Sequence, residues 1–261
     1  MIVLAKVSII IPTKNNSSTL PALLESVKRY KVQEVEVIIV DAKSDDGTDR
    51  IAQQHSAVLI IRDCGRAEAR NLGARVAKGD YLFFVDSDMA LTRFVLSDCL
   101  DLIEINDALC IGETVFGNSF LSKVRKLESK SYFRSVWFEA ARFFRRSTFF
   151  EIGGYDEGTP TGLEDIALQA KLLSKQKHLG WVDAPLIHNL GQMSIASYLK
   201  KHRYYSQSYR AFSQVYPAHW SRFSSPIERF KVVLHSSTLA DVPFLIGWIV
   251  IRGIEFLTSY G

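Results

Sequence analysis

The chain has 261 residues, of which 47% are hydrophobic and 23% are charged, so it can bury a large core and is not a disordered protein. The formal net charge of +4 is small for this length and gives no support to nucleic acid as a partner, so we expect none. Cys64, Cys99 and Cys110 lie in or beside apolar stretches without Cys-x-x-Cys spacing. We therefore expect reduced thiols in a cytosolic protein, and residues 1–4 are too short an apolar run for a signal peptide.

Strand-like and helix-like patterns alternate through the first 90 residues. Apolar runs predict strands at 7–11, 35–40, 58–61 and 81–85. Helical patterns lie between them, at 19–30, near 51 and at 66–77. This order predicts an α/β protein with a mostly parallel sheet, right-handed crossovers and helices on both faces.

The second part of the chain predicts a helix at 92–105 and strands at 109–116, 138–145 and 181–187, followed by a helix-rich region. We place a boundary within 192–197. The predicted division is a catalytic domain at 1–192, with a donor-binding half (1–90) and an acceptor-binding half (91–192), and a helical C-terminal tail at 193–261.

Two carboxylates follow the fourth predicted strand, which stops at Asp86, Ser87 and Asp88. Side chains alternate across a strand, so we expect Asp86 and Asp88 on one side and Ser87 on the other. Open α/β sheets bind ligands at this end of their strands. Oxygen ligands at this spacing suit Mg²⁺ or Mn²⁺ rather than zinc, and such an ion would hold a diphosphate.

Polar residues also follow the first two strands, at Pro12, Thr13 and Asp41. A nucleotide lying across this edge could place its base against Asp41, although a carboxylate there could equally cap a turn or helix. Neither Gly-x-Gly-x-x-Gly nor Gly-Lys-Ser/Thr follows the first strand, so a dinucleotide fold and a P-loop are not supported. The sequence therefore predicts that cations hold the phosphates.

Five short motifs, in this order, resemble those of family 2 glycosyltransferases over residues 7–190. They are the residues 7–15, 37–41 with 45–48, 69–73, 79–88, and 152–157 with Glu164 and Asp165. The resemblance implies a GT-A fold, a nucleotide-sugar donor, a divalent metal and inversion at the anomeric carbon.

The same resemblance implies specific donor and metal residues. They are Pro12, Thr13, Asp41 and Arg70 for the base and ribose, Asp88 for the metal, and Asp86 for the ribose or a metal-bound water. His188 stands where many relatives carry a histidine that completes the metal site. A neutral imidazole suits Mn²⁺, but a histidine at a strand end can also be a hydrogen-bonded structural residue.

Glu164 and Asp165 carry the predicted chemistry. Gly162 is followed by apolar residues at helical spacing, so the two acids fall in the first turn of a helix, where backbone N–H groups favour an ionised carboxylate. Such a carboxylate can act as a general base toward an acceptor hydroxyl. The resemblance implies that Asp165 is the base, and we expect Glu164 to orient the acceptor or the surroundings of Asp165. The alternative is that both acids only stabilise the helix.

The acceptor is less closely defined. Residues 181–194 lack the pattern of enzymes that glycosylate polyprenyl phosphate, so a hydroxyl acceptor is preferred and a polyprenyl-phosphate glycosyltransferase is the alternative. Basic and aromatic residues are interleaved over 123–146 and 198–231, which suits an anionic membrane surface or a lipid diphosphate. The alternative is a pair of solvated helices whose aromatic faces pack on the sheet. The apolar run 242–251 is shorter than the ~20 residues that span a bilayer, so we expect an interfacial helix, or else one packed on the domain or a second subunit.

Together with the sequence patterns, the family resemblance implies an inverting, Mn²⁺- or Mg²⁺-dependent enzyme. It would transfer a hexose from a nucleotide diphosphate sugar, UDP in preference to GDP, to a hydroxyl of a lipid-linked or cell-envelope glycan at the inner face of the membrane. A sugar-1-phosphate nucleotidyltransferase would need a Gly-rich loop where residues 11–14 stand. A non-catalytic glycan-binding relative would not need both acidic motifs.

Overall fold

The computed structural model describes residues 6–30, 35–55, 58–159, 162–189, 194–207 and 209–260. Its strands are β1 Val7–Thr13, β2 Val35–Asp41, β3 Val58–Ile61, β4 Tyr81–Phe84, β5 Met89–Leu91, β6 Ala108–Phe116, β7 Ala141–Arg145 and β8 Leu179–Asn189. Its helices are α1 Leu20–Lys28, α2 Thr48–Gln54, α3 Arg66–Val76, α4 Val95–Ile103, α5 Phe120–Tyr132, α6 Arg146–Glu151, α7 Glu164–Ser174, α8 Ile195–Ser206, α9 Tyr209–Val215, α10 Pro217–Phe223, α11 Pro226–Ser236 and α12 Val242–Tyr260.

The strands form one sheet in the order β3-β2-β1-β4-β7-β6-β8-β5. The first four are parallel, and the register pairs Thr13 with Asp41. In the other half, β7 is antiparallel to both of its neighbours, and β8 is parallel to β6 but antiparallel to β5. The α/β fold is thus confirmed, with a parallel half that brings the carboxyl ends of β1, β2 and β4 to one edge.

Both faces of the parallel half are covered. Every residue of β1 is buried, and its side chains alternate between two clusters: Ile9 and Ile11 pack with Leu23 of α1, and Ile10 packs on the opposite face. A Cβ added at Gly73 of α3 would lie 2.4 Å from Ile10 Cγ2, so α3 lies directly on β1. This close contact fixes the helix that carries Arg70.

The structure corrects several predicted boundaries. Strand β4 ends at Phe84, so Asp86 and Asp88 lie in the turn that follows it. A hydrogen bond from the Met89 N–H to the Asp86 carbonyl (3.0 Å) closes this turn. The prediction that strand alternation places the two acids on one side therefore does not apply. Residues 89–91 form an additional strand because they pair with β8, and the predicted helix at 92–105 begins at Val95. Residues 138–140 precede β7, and His188 lies inside β8 rather than after it.

The cysteines agree with the prediction of free thiols. Cys99 and Cys110 are buried and Cys64 is partly buried, all without disulfides. Burial raises the pKa of the Cys110 thiol to about 12, so this group stays protonated and unreactive at neutral pH.

The helices after residue 194 pack on α5 through a buried carboxylate. Glu128 of α5, 1% exposed, accepts hydrogen bonds from Trp248 Nε1 (3.1 Å) and the Tyr132 hydroxyl (2.7 Å) and forms ion pairs with Arg125 and Arg252. Buried charges are tolerated when they are paired and hydrogen-bonded in this way. The helical character of the described residues in 194–260 is confirmed. The domain division at 192 stays a prediction, and residues 192–193 of the predicted boundary lie outside the described residues.

One face of α12 packs on the domain and another is exposed. Trp248 and Ile251 are buried against α5, while Ile246 and Val250 are 57% and 54% exposed. Among the described residues, none of the helices combines the length and apolar character that a membrane crossing requires.

Candidate active site

Asp41 organises the loop at the edge of β1 and β2. Its carboxylate is 1% exposed and accepts hydrogen bonds from Thr13 Oγ1 (2.7 Å), the Ser44 N–H (2.7 Å) and Ser44 Oγ (2.6 Å). This is the turn-capping role that the sequence left open. Pro12 and Thr13 lie beside it in the sheet, and the predicted donor contacts of all three residues remain predictions.

A second contact joins the loops that follow β1 and β2. The Lys14 ammonium donates hydrogen bonds to the carbonyls of Ala42 (2.6 Å) and Lys43 (2.7 Å). Asn15 and Lys43 adopt left-handed backbone conformations, with φ of 53° and 54°. Left-handed backbone is uncommon for non-glycine residues, although asparagine adopts it more readily than most, and it clusters at functional sites.

Arg70 brings the two predicted acidic motifs together. Its guanidinium is fully buried and lies 2.6 Å from Asp86 Oδ1, 3.0 Å from Asp165 Oδ1 and 3.3 Å from Glu164 Oε1. Its Cζ also lies 5.1 Å from the centre of the Tyr155 ring. Residues from the end of β4 and from the start of α7 therefore share one arginine.

Neighbouring residues hold Arg70 in place. The side chain of Asn71 donates to the Tyr155 carbonyl (2.9 Å) and accepts from the Tyr155 N–H (3.0 Å). The turn before Tyr155 requires glycine because Gly154 has φ of +60° and a Cβ there would lie 2.8 Å from Asn71 Oδ1. The segments 69–73 and 152–157 thus interlock, and this contact explains why both motifs contain these residues.

A chain of alternating charges continues from Asp86. Arg142 lies 3.2 Å from Asp86 Oδ2 and forms a second ion pair with Glu113. The other oxygen of Glu113 lies 2.9 Å from His188 Nδ1, and His188 Nε2 lies 3.3 Å from Asp88 Oδ2. Four predicted acids, Asp86, Asp88, Glu164 and Asp165, are therefore joined through side chains of α3, β6, β7 and β8, whereas Asp41 lies outside this chain.

Two of the acids have pKa values shifted in opposite directions. Burial raises the pKa of Asp165, and the neighbouring Glu164 adds to this, although Arg70 opposes it. Burial also opposes ionisation of Asp86, but Arg70 and Arg142 hold its pKa well below the usual range. The site thus separates a permanently charged carboxylate from a more basic one, a pattern typical of catalytic acid–base pairs.

The metal prediction is only partly matched by the donor atoms. Both oxygens of Asp86 are engaged by arginines, so Asp88 and His188 are the two predicted ligands that converge. Across the described residues, no group of three His, Cys, Asp or Glu side chains could hold a metal by itself. An ion here would need further oxygens from a diphosphate, as is usual for Mg²⁺.

Glu113 orients His188 as the carboxylate partners of metal-binding histidines do. Burial lowers the pKa of His188, but its bonds to Asp88 and Glu113 raise it to about 10. A metal ion would therefore displace the proton from Nε2. The residues fit a divalent ion, and the predicted ligand set stays a prediction.

A cavity of about 390 Å³ lies over these residues, within the range of small-ligand sites. Its walls include Asp86, Glu113, Arg142, Asp165, His188 and, from α8, Tyr198, Lys201 and Tyr205. A Cβ at Gly162 would lie 2.6 Å from the Tyr205 ring, so α8 packs closely over the loop that precedes α7.

Sequence reasoning missed Glu113 and Arg142. Arg142 was assigned to a surface cluster of basic residues, which is wrong because it is 8% exposed and pairs with Asp86 and Glu113. Arg145 also points inward, donating to the carbonyl of Ile103 (2.6 Å). The missed signal was a charge within an apolar strand, at Glu113 in β6 and Arg142 in β7.

Known proteins resemble this chain in sequence and in fold. A glycosyltransferase from Haemophilus influenzae is 40% identical over 105 residues, which are 38% of this chain and 35% of that protein. A PGL/p-HBAD biosynthesis glycosyltransferase from Mycobacterium bovis is 31% identical over 168 residues, which are 57% of this chain and 62% of that protein. The chain therefore spans less than two thirds of the length of these relatives.

Two solved structures cover 97% of this chain. S. aureus TarS 1-349 in complex with UDP-GlcNAc aligns over 81% of its own chain, with a TM-score of 0.62 and 18% identity. The mannosyltransferase PcManGT from Pyrobaculum calidifontis, in complex with GDP-Man and Mn²⁺, aligns over 84%, with a TM-score of 0.65 and 15% identity. These likenesses confirm the GT-A fold. The Glycosyl transferase family 2 model matches residues 8–157, more than half of the chain, and the chain therefore belongs to that family.

Proposed function

We propose that this protein transfers a hexose, with inversion, from a nucleotide diphosphate sugar to a hydroxyl of a lipid-linked or cell-envelope glycan. The observation that carries the proposal is the position of Arg70, which lies within 3.0 Å of both Asp86 and Asp165. Donor-side and acceptor-side carboxylates are thereby close enough to act on one sugar ring. We assign donor binding to 1–90, acceptor binding to 91–192 and support of the acceptor to the helical tail.

Asp165 is the proposed general base. It removes the proton of the acceptor hydroxyl while that oxygen bonds to the anomeric carbon from the face opposite the leaving diphosphate, so the configuration inverts. Burial supports this role because it raises the pKa of Asp165 and makes the carboxylate a better proton acceptor. A base of this kind contributes ~10²–10⁴ in rate.

Glu164 is the proposed positioning residue. Its side chain is 1% exposed, contacts Arg66 (3.1 Å) and Arg70 (3.3 Å), and accepts the Gly162 N–H (2.5 Å). A carboxylate with so many fixed partners cannot readily reach a substrate. It instead fixes Arg70, and through it Asp165.

Pro12, Thr13, Asp41 and Arg70 are the proposed donor-binding residues, and Asp86, Asp88 and His188 the proposed surroundings of a Mn²⁺ or Mg²⁺ ion. When bound, such an ion would neutralise charge on the departing diphosphate. We prefer UDP to GDP as the donor nucleotide. Since TarS is described with UDP-GlcNAc and PcManGT with GDP-Man, both bases belong in the test.

The decisive experiment is a donor screen with UDP- and GDP-sugars in the presence of Mn²⁺ or Mg²⁺. Donor hydrolysis and donor binding are measured for the wild type, Asp88→Ala, Asp165→Asn and the control Asp183→Asn, whose side chain is 75% exposed. We expect Asp88→Ala to lose donor binding, and Asp165→Asn to bind donor normally but turn over ~10²–10⁴-fold more slowly. Full turnover by Asp165→Asn would require a different base, and hydrolysis of no donor would contradict the proposed function.

A further inference from the structure

A second cavity, of about 810 Å³, adjoins the active-site cavity on its C-terminal side. It lies between α10, α11 and α12 and is walled mainly by apolar groups, among them Trp220, Phe230, Trp248, Ile249 and Phe256. Its size is in the range of cavities that enclose a small molecule or a hydrocarbon chain.

The two cavities share part of their walls. Five residues line both of them: His202, Tyr209, Phe223, Arg229 and Arg252. The first cavity also contains Asp165, so a molecule that filled both would place one end at the proposed base and the other among apolar side chains. We call the five shared residues the neck.

Two of the neck residues are arginines, and they differ in their partners. Arg229 is fixed by the Tyr132 hydroxyl (2.8 Å) and the Phe223 carbonyl (2.9 Å) and lies 4.5 Å from the Phe223 ring, but it forms no ion pair with any carboxylate of the described residues. Arg252 beside it pairs with Glu128 and Glu255. A rigid guanidinium without a carboxylate partner is suited to bind phosphate.

A further polar group at the neck lacks a partner. The Nδ1 atom of His202 is buried and has no hydrogen bond within the described part of the chain. Buried polar atoms are normally satisfied, so an unsatisfied one where two cavities meet indicates a polar ligand group at that point.

The apolar cavity also reaches the exposed apolar surface of the C-terminal helices. Phe230, Ile249 and Phe256 line it and are nevertheless 40%, 46% and 57% exposed. A hydrocarbon chain could therefore enter from a lipid layer that contacts this surface.

We infer that the apolar cavity binds the hydrocarbon chain of a lipid whose phosphate or diphosphate carries the acceptor glycan, with the phosphate at Arg229, beside Arg252, and the acceptor hydroxyl at Asp165. This inference rests on the proposed glycosyl transfer and names the acceptor class more narrowly. Arg229 and Arg252 act in binding and take no part in the proton transfer.

The test is calorimetric binding of farnesyl diphosphate, farnesol and inorganic diphosphate to the intact protein, below the micelle concentration of the lipids. We expect farnesyl diphosphate to bind at least tenfold more tightly than either fragment. The Arg229→Gln variant should bind farnesyl diphosphate with an affinity close to that for farnesol. If farnesyl diphosphate and inorganic diphosphate bound with equal affinity, the apolar cavity would contribute nothing to binding, and the inference would be overturned.

Gly253 allows the cavity to be filled without disturbing the fold. It lines the cavity, and a Cβ added there meets no atom within 4 Å. Gly253→Leu should weaken farnesyl diphosphate binding at least tenfold and Gly253→Ala less, while Val250→Leu, an exposed position of the same helix outside the lining, should not change it. Thermal unfolding monitored by circular dichroism shows whether each variant is folded.

The donor assay separates the two proposals. Unchanged probe binding in folded Gly253→Leu, with normal donor hydrolysis, would overturn the cavity assignment alone. Cavity-dependent probe binding by a protein that hydrolyses no nucleotide sugar would instead contradict the proposed function and leave the lipid site standing.

Discussion

Glu113 is the residue through which β6 acts on the proposed metal site. It contacts His188 Nδ1 at 2.9 Å and leaves Nε2 directed at Asp88. An imidazole that is held in this way presents one nitrogen in a fixed direction, which increases its affinity for a metal. Burial opposes ionisation of Glu113, but its ion pair with Arg142 and its contact with His188 lower its pKa to about 2. The Glu113 carboxylate therefore stays ionised.

We expect Glu113→Gln to weaken Mn²⁺ binding by ~10–100-fold, because an amide orients the imidazole less strongly than a carboxylate does. Direct Mn²⁺ titration followed by electron paramagnetic resonance, with donor present, measures this affinity. Asp183→Asn is the control. An unchanged Mn²⁺ affinity would show that His188 is not a ligand whose orientation matters.

Glu139 should make stability depend on pH. Its side chain is 8% exposed and accepts the Arg134 N–H at 3.0 Å; burial is the largest effect on it and raises its pKa from 4.5 to about 7. The folded state therefore binds this proton more tightly than the unfolded state does. The resulting stabilisation is fully present below pH 4.5 and is lost as the pH rises through about 7.

Glu139→Gln carries no charge at any pH, so we expect it to be more stable than the wild type at pH 8 by up to about 3 kcal/mol and nearly equal to it at pH 4.5. Urea unfolding at both pH values measures the difference. Glu25→Gln on the surface of α1 is the control, with a side chain that is 62% exposed. A stability difference that is the same at both pH values would contradict the assignment.

At the scale of elements, two adjacent glycines join α6 to the turn that carries Tyr155. Gly153 and Gly154 have φ of +83° and +60°, so both need the left-handed conformation. Their surroundings differ, because a Cβ at Gly153 meets no atom within 4 Å, whereas one at Gly154 lies 2.8 Å from Asn71 Oδ1 and 3.2 Å from the Phe149 ring. Alanine substitutions at the two positions therefore separate the cost of backbone strain from the cost of a steric clash.

We expect Gly153→Ala to lower the free energy of unfolding by about 1–2 kcal/mol, from backbone strain alone. Gly154→Ala should lower it by a further ~1–3 kcal/mol, because the added methyl group displaces Asn71 and Phe149. It should also reduce turnover, since Asn71 follows Arg70 in α3. Urea unfolding and donor hydrolysis measure the two effects, and equal losses in both variants would contradict the proposed interlock.

The elements also show what a sequence can and cannot predict. The parallel half of the sheet could be predicted because its strands are continuous apolar runs. Successive residues of such a run, for example Ile9 and Ile10, are buried on opposite faces of the sheet, so the apolar pattern in the sequence reports directly on burial in the fold. Strand β5 is only three residues long and exists because β8 pairs with it, which no local pattern reveals. The placement of β7 between β4 and β6 is likewise a property of topology.

The site follows the same division. Asp86, Asp88, Glu164 and Asp165 were found because acids at strand ends and helix starts are visible in the sequence. Arg142 was not, because its guanidinium is explained only by its partners Asp86, in the turn after β4, and Glu113, in β6. Long-range charge pairing is thus the information that the linear pattern lacks.

At the scale of the whole molecule, the C-terminal helices present an apolar surface that the sheet does not cover. Leu239, Ile246, Val250 and Leu257 are 92%, 57%, 54% and 73% exposed. One basic residue of α5 lies next to α12, since Lys123 Nζ is 5.7 Å from the centre of the Phe244 ring. Apolar groups next to cations are typical of proteins that lie on an anionic lipid surface.

We expect the protein to sediment with phosphatidylglycerol-containing vesicles, less so in high salt, because both apolar insertion and attraction by lysines contribute. Leu239→Asp combined with Ile246→Asp should weaken vesicle binding at least tenfold, since two charges would have to enter the lipid interface. Ile105→Asp is the matched control, because Ile105 is 78% exposed but lies in the loop between α4 and β6. If all three proteins bound vesicles equally, or if none bound, a lipid chain would have no route from a membrane to the apolar cavity through this surface.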